Sequence, residues 1–320
     1  MDKYNWQATE SAPKSYPMQV VSGMLFYQGK NQGLYVPDRA TIHPGWGTGR
    51  SSHIVGPDLK PLPDRLQITF FSYTENQFYV GKFDLPYEKI LALFKAGYDL
   101  RRGGDHTTYD QIVVGIAPGG AVAVWVSGLS KTTEVFFGQA EKADVDWSRL
   151  TSATHISREE YVGKRLKESL KTPEAISALK KNGIPFGLWS TYRKRYSWQP
   201  VFTGMQVEAG VIDQMKYFNG EQGYLTYPLD QTAAASTRAI PSFMNFSWQR
   251  PNAKGLVYKL FFNEPEIVDA FKKLGGNNEP LKLEMRMDAV EGKNAFSIWL
   301  RNDKESIQLK RTEIKNYNTP

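Results

Sequence analysis

Four histidines, His43, His53, His106 and His155, are the residues in this chain best suited to proton transfer or metal ligation. No two of them stand at metal-ligand spacing. His43 and His53 share a loop with Asp38 and Asp58, so a metal or general-base role needs that loop to bring them together. The chain has no Gly-x-Ser-x-Gly elbow, no phosphate loop, no His-Glu-x-x-His and no calcium-loop spacing. Gly45-Trp46-Gly47-Thr48-Gly49 is glycine-rich, but no clear strand precedes it and no helix follows, as a phosphate cradle requires. Absence of cysteine excludes structural disulfides, thiolate nucleophiles and zinc–sulfur sites.

Binding chemistry is better represented. Tyr192-Arg193-Lys194-Arg195-Tyr196-Ser197-Trp198 interleaves basic and aromatic residues, and Arg101-Arg102 lies between Tyr98 and Tyr109. Arg, Tyr and Trp dominate interface hot spots. The same interleaving suits stacking on single-stranded nucleic acid. The net charge is only +7, from 40 basic and 33 acidic residues, and no nucleic-acid module motif occurs, which favours a protein partner. A strand end with solvated charges is the plain alternative. Asn245-Phe246-Ser247 is a glycosylation sequon, but it falls in an expected strand and is discounted.

The elements that position these residues follow a pattern used twice. Strand-like 67–72 and 77–85, an amphipathic helix from Tyr87 and the strand around Trp125 recur as 244–248, 256–260, 265–271 and the strand around Trp299. Lys82 and Lys259, Ile90 and Ile267, and Phe94 and Phe271 are each 177 residues apart, while Trp125 and Trp299 are 174 apart. Such a period points to a duplicated unit. Tyr4 to Thr9 and Val20 to Tyr27 read as strands before the first copy, and Leu188-Trp189-Ser190 and Val201 to Val207 before the second. Pro118-Gly119-Gly120 marks a tight turn between strands 111–117 and 121–127. Residues 37–64 form a Pro- and Gly-rich loop. Ser157 to Glu160 is a capping box opening a helix, and Thr172-Pro173 restarts one that Gly183 stops. The expectation is an α+β chain of two similar domains, each a mainly antiparallel sheet with one or two packed helices. They span 1–150 and 186–320 and are joined by a basic helical connector over 151–185. Trp125 and Trp299 are expected as matching core residues.

Phe78-Tyr79-x-Gly81-x-Phe83-x-Leu85-Pro86 and Val114-Gly115-Ile116-Ala117-Pro118-Gly119-Gly120-x-Val122-x-Val124-Trp125-x-x-Gly128 resemble the DUF2931 family of small bacterial proteins, many of them predicted lipoproteins. The resemblance covers roughly residues 4–147. The second half follows it loosely, with Phe262-Asn263 in place of Leu-Pro and Glu291-Gly292-Lys293 in place of Pro-Gly-Gly. It implies a periplasmic immunity protein that blocks a toxic type VI secretion phospholipase or lipase, with no catalytic residues and no cofactor. It also implies an N-terminal lipid anchor. No lipobox cysteine is present, no apolar run reaches the ~18 residues that span a bilayer, and Met1-Asp2-Lys3-Tyr4 leads directly into polar sequence. An exported chain with its leader removed would begin the same way.

The residues expected at the partner are therefore His43, Trp46, His53, Arg101, Arg102, Tyr192, Arg193, Lys194, Arg195, Tyr196 and Trp198. The alternative is an envelope carbohydrate- or ligand-binding module using exposed Trp46, Tyr192 and Trp198 as platforms. An enzyme built on His43, His53 or His106 is the weakest reading.

Overall fold

The computed structural model describes residues 2–51, 55–100, 104–153, 155–204, 209–226, 235–250, 253–276, 279–290 and 293–318. The chain is α+β, with 47% of residues in strands and 19% in helices, so sheets form the frame and helices decorate it. It divides into two compact units, 1–99 with 105–191, and 100–104 with 192–320.

In the first unit the strands are β1 (Gln7–Ser11), β2 (Met18–Tyr27), β3 (Pro63–Ser72), β4 (Gln77–Asp84), β5 (Gln111–Ala117), β6 (Ala121–Ser127), β7 (Thr132–Gln139) and β8 (Glu141–Ala143). Helix α1 (Tyr87–Ala96) lies between β4 and β5, and α2 (Arg158–Leu170) and α3 (Pro173–Asn182) follow β8. Two layers result. One runs β1-β5-β6-β7, with β1 parallel to β5 and the remaining pairs antiparallel. The other runs β8-β4-β3-β2, all antiparallel, with the short strand Gly33–Tyr35 beyond β2. Only Ala140 separates β7 from β8, so the chain steps from one layer to the other at that corner.

Every residue of β6 is buried. Side chains alternate across a strand, so Val122, Val124 and Val126 share one face and Ala123 and Trp125 the other. Helix α1 buries Ile90 and Phe94 and ends at Gly97, whose φ of 56° glycine adopts without strain. Phe94 meets the Tyr4 ring at 5.2 Å and the Tyr109 ring at 5.9 Å.

The stretch expected as an interdomain connector belongs to the first unit. Ser157 caps α2 through Glu160 N–H, and Tyr161 and Val162 pack against Phe71, Tyr73 and Phe78 of the second layer. Arg158 fixes the helix there. Its guanidinium lies 5.5 Å from Phe71, 5.4 Å from Phe78 and 5.1 Å from Trp147, and it donates to Asn76 side chain and backbone at 2.7 Å. Leu188–Thr191, expected as a strand, is a single helical turn whose Trp189 is buried inside the first unit.

The second unit contains β9 (Tyr196–Gly204), β10 (Ala209–Tyr217), β11 (Gln222–Thr226), β12 (Ser236–Arg238), β13 (Pro241–Arg250), β14 (Ala253–Phe261), α4 (Glu264–Leu274), β15 (Leu281–Val290), β16 (Lys293–Arg301), β17 (Ser306–Gln308) and β18 (Glu313–Asn318). One layer runs β12-β9-β15-β16-β17, again with its first long pair, β9 and β15, parallel. The other runs β11-β10-β13-β14-β18. Helix α4 is capped by the Asn263 side chain and buries Ile267, Ala270, Phe271 and Leu274. Strand β18 runs on to Asn318, paired along β14.

The matched tryptophans part company here. Trp125 is wholly buried, whereas Trp299 is half-buried and donates its indole N–H to Ser297 at 3.0 Å. The cause is the neighbouring strand. Trp125 lies opposite Val113; Trp299 lies opposite Glu284, a buried carboxylate that accepts from Thr203 and pairs with Arg301 at 3.1 Å. An ion-paired carboxylate in the row makes that face polar.

Candidate functional site

A long loop of the first unit runs between β2 and β3, and its middle, residues 36–51, is fastened to the Trp125 face. Gly45 N–H donates to Ala12 O at 2.9 Å, and Ser11 Oγ donates to Gly45 O at 2.8 Å. Gly45 holds φ 124°, a conformation open to glycine. Arg50 N–H donates to Glu10 O at 3.0 Å and Ser51 Oγ to the buried Glu10 carboxylate at 2.5 Å. Between these ties Trp46 sets its edge on Trp125, centroids 4.9 Å apart at 88°. Trp189 flanks Trp46 at 6.3 Å and meets Tyr16 edge-on at 5.6 Å. The glycine pattern here makes close approach possible. A Cβ on Gly115 would sit 2.4 Å from Trp125 and 3.0 Å from Trp46.

What this anchored loop presents outward is positive charge. Arg39 holds φ 66°, uncommon for a residue with a side chain, and that side chain is 91% exposed. Arg50 bonds back to Thr41 O, and Lys14 lies along Gly45. Burial pushes the His43 imidazole below its ordinary range, and the charges of Arg50 and Lys171 push it the same way. The neutral form of His43 is thus favoured, by burial first and by the two cations second. Acidic groups nearby are Asp38, 3.9 Å from Arg39, and the interior Glu10.

The second expected cluster is built differently from its sequence pattern. Tyr196 and Trp198 are core side chains, 6% and 0% exposed, and Trp198 donates its indole N–H to Ala239 O at 3.1 Å. Their expected exposure is corrected: inward-facing positions of β9 are packed on Phe271. Tyr192 is half-buried, stacked on Phe218 at 5.3 Å, and donates to Glu264 at 2.5 Å. Arg195 donates to both oxygens of the buried Glu221 at 2.7 Å. Arg193 and Lys194 are exposed, Lys194 standing over the Tyr196 ring at 5.0 Å. Arg101, Arg102 and His53 lie outside the described residues.

Thus Lys14 and Arg50 are brought to His43, while Arg39 stands exposed earlier on the same loop; sequence reasoning passed over all three cations. Arg39 had a signal in its place after Pro37-Asp38, where a turn exposes the next side chain. Lys14 and Arg50 had none, because only the closed loop brings them to His43. His106 is exposed and bonded to Asp99 at 2.7 Å. Among the described residues no group of three or more His, Asp or Glu is placed to hold a metal, and no helix is long and apolar enough to cross a membrane.

The chain belongs to the family described as "Protein of unknown function (DUF2931)", whose model matches residues 1–187. That match spans the whole first unit through α3, including the helices expected as a connector. Comparison with curated proteins and with solved structures finds no match.

Proposed function

We propose that this chain is a non-catalytic binding protein of the immunity type, acting in the periplasm by covering the active-site entrance of a phospholipase or lipase effector. The observation that carries the reading is the fastened cationic loop on the family-matched unit. Its backbone is fixed by Gly45, Glu10 and Trp46 before any partner arrives. Preorganisation of that kind lowers the ordering cost of association. Its charge selects an acidic partner surface and speeds encounter. An inhibitor needs shape and a few anchors. The carbohydrate platform loses support, since Trp198 is interior and Trp46 is committed to Trp125.

The second unit reads as a diverged copy of the first. Both have the parallel pair at the start of one layer, the helix between corresponding strands, and a last strand returning to pair beside β4 or β14. Matching contacts support it. Tyr4 meets Phe94 at 5.2 Å and Tyr196 meets Phe271 at 5.3 Å. Trp6 donates to Pro61 O and Trp198 to Ala239 O. Lys60 stands over Trp6 at 5.8 Å and Arg238 over Trp198 at 5.7 Å. The first copy then carries the contact loop.

The test is calorimetric titration of the full chain with a lipase encoded beside its gene, using wild type and a Lys14→Ala, Arg39→Ala double variant. Binding that weakens at least about tenfold without a change in melting supports the loop as contact surface. Undiminished affinity removes it.

A further inference from the structure

The α2–α3 corner is a second feature of the first unit that the loop does not explain. Helix α3 buries none of its side chains. A helix of its length is marginal in water unless something holds it. Here local signals do so: the Thr172 cap on Ala175 N–H, Pro173 in the first turn, Glu174 beside the amide end, and Lys180 and Lys181 at the carbonyl end. The helix is thus encoded to stand on the surface. Where it meets α2, a cavity of about 470 Å³ has a floor of Pro173 and Ile176 and a rim of Lys167, Lys171 and Lys180. Lys171 is held at φ 53°, a position where helices usually end in glycine. The nearest acidic group on α2, Glu168, is taken by Arg165 at 3.2 Å. The three rim lysines form no ion pair among the described residues. Phe186, a few residues beyond α3, is 64% exposed.

From this we infer that the corner seats on the anionic headgroup layer of a lipid bilayer, with Ile176 at the level of the headgroups and the lysines on phosphates. Short amphipathic helices with half-exposed apolar residues between lysines lie in that interface. The composition separates this from an acidic protein partner. Recognition of discrete carboxylates favours the fixed fork of arginine, whereas lysine serves as a mobile point charge against a diffuse layer of phosphates. The floor is also too small for the apolar centre of a protein interface. This inference does not depend on the lipase reading, because it concerns a different ligand; Lys171 also bears on His43, so the Lys167, Lys180 and Ile176 changes are what separate the corner from the loop.

The experiment is flotation of the full chain with phosphatidylcholine vesicles, with and without phosphatidylglycerol. The variants are Lys167→Gln, Lys171→Asn, Lys180→Gln in combination, and Ile176→Asn alone; Asn tolerates the left-handed backbone at 171. Wild type is expected to partition at least about tenfold more strongly onto the anionic vesicles, and the triple variant to lose about tenfold or more. Ile176→Asn is expected to weaken partitioning with the charges intact, which keeps the test open should the triple variant fold poorly. Equal partitioning onto both vesicle types overturns the inference, as do variants that float like wild type. Saturable binding of inorganic phosphate or glycerol phosphate without vesicle binding would also overturn it, leaving a soluble anion site. Capture of an acidic protein with no vesicle binding would do so too.

Discussion

Replacing Trp125 and Trp299 by alanine, one at a time, should give very unequal losses. Both occupy the same place in their layers: the row Thr9–Val113–Trp125 corresponds to Val201–Glu284–Trp299. Trp125 is fully buried among Val113, Ala123, Phe137 and Trp46. Its removal takes away a large apolar side chain and leaves a cavity, at about 3–5 kcal/mol. Within that total, loss of the edge-on Trp46 pair contributes about 0.5–1.5 kcal/mol. Trp299 is half-buried on a face that holds an ion-paired glutamate, so about half the transfer energy of a large side chain is at stake, roughly 1 kcal/mol. Urea denaturation followed by far-UV circular dichroism measures both, and the transition that moves identifies the unit affected. Equal shifts would refute the reasoning, since they would require Trp299 to be as well covered as Trp125.

Three further outcomes follow from the same contacts. Arg158→Ala should destabilise the first unit by about 2–3 kcal/mol, because it removes charged bonds to Asn76 and a cation held among three rings; limited proteolysis should then cut within 150–172 sooner. Arg195→Ala should lower stability by about 1–2 kcal/mol, the half-exposed arginine discounting the usual penalty for stranding Glu221, while Lys194→Ala should leave melting unchanged. His43 has its folded pKa held below the ordinary 6.5, so the fold favours its neutral form. Stability is complete above pH 6.5 and declines as pH falls toward the lowered value, and His43→Gln should flatten that decline in melting temperature against pH.

Much of the frame was legible in the chain. The apolar stripe of Ile90 and Phe94, the Ser157 and Thr172 caps, and the strands around Trp125 all stand where periodicity and capping residues put them. These are local signals, and local geometry decides them. The strand expected at Trp189 lies instead at Tyr196–Gly204, one tryptophan later. Tyr4-Asn5-Trp6 and Tyr196-Ser197-Trp198 share a Tyr-x-Trp pattern, which would have located it. The difference between Trp125 and Trp299 was not legible, because cover over a sheet face comes from a loop distant in sequence and from the residue opposite. The same holds for the site. Trp198 looks like an interface aromatic until strand alternation turns it inward, and Lys14, His43 and Arg50 have no pattern until Trp46 closes the loop.

The fastened loop of the family-matched unit is proposed to present a cationic surface to an acidic lipase. The most direct measurement is the rate of association between the full chain and that lipase at increasing salt, for wild type and the Lys14→Ala, Arg39→Ala variant. Wild type is expected to inhibit the lipase and to associate at a rate that falls steeply with salt, and the variant to show a slower, flatter salt response. A lipase left fully active by the wild-type chain, or a salt response identical in both proteins, would contradict it.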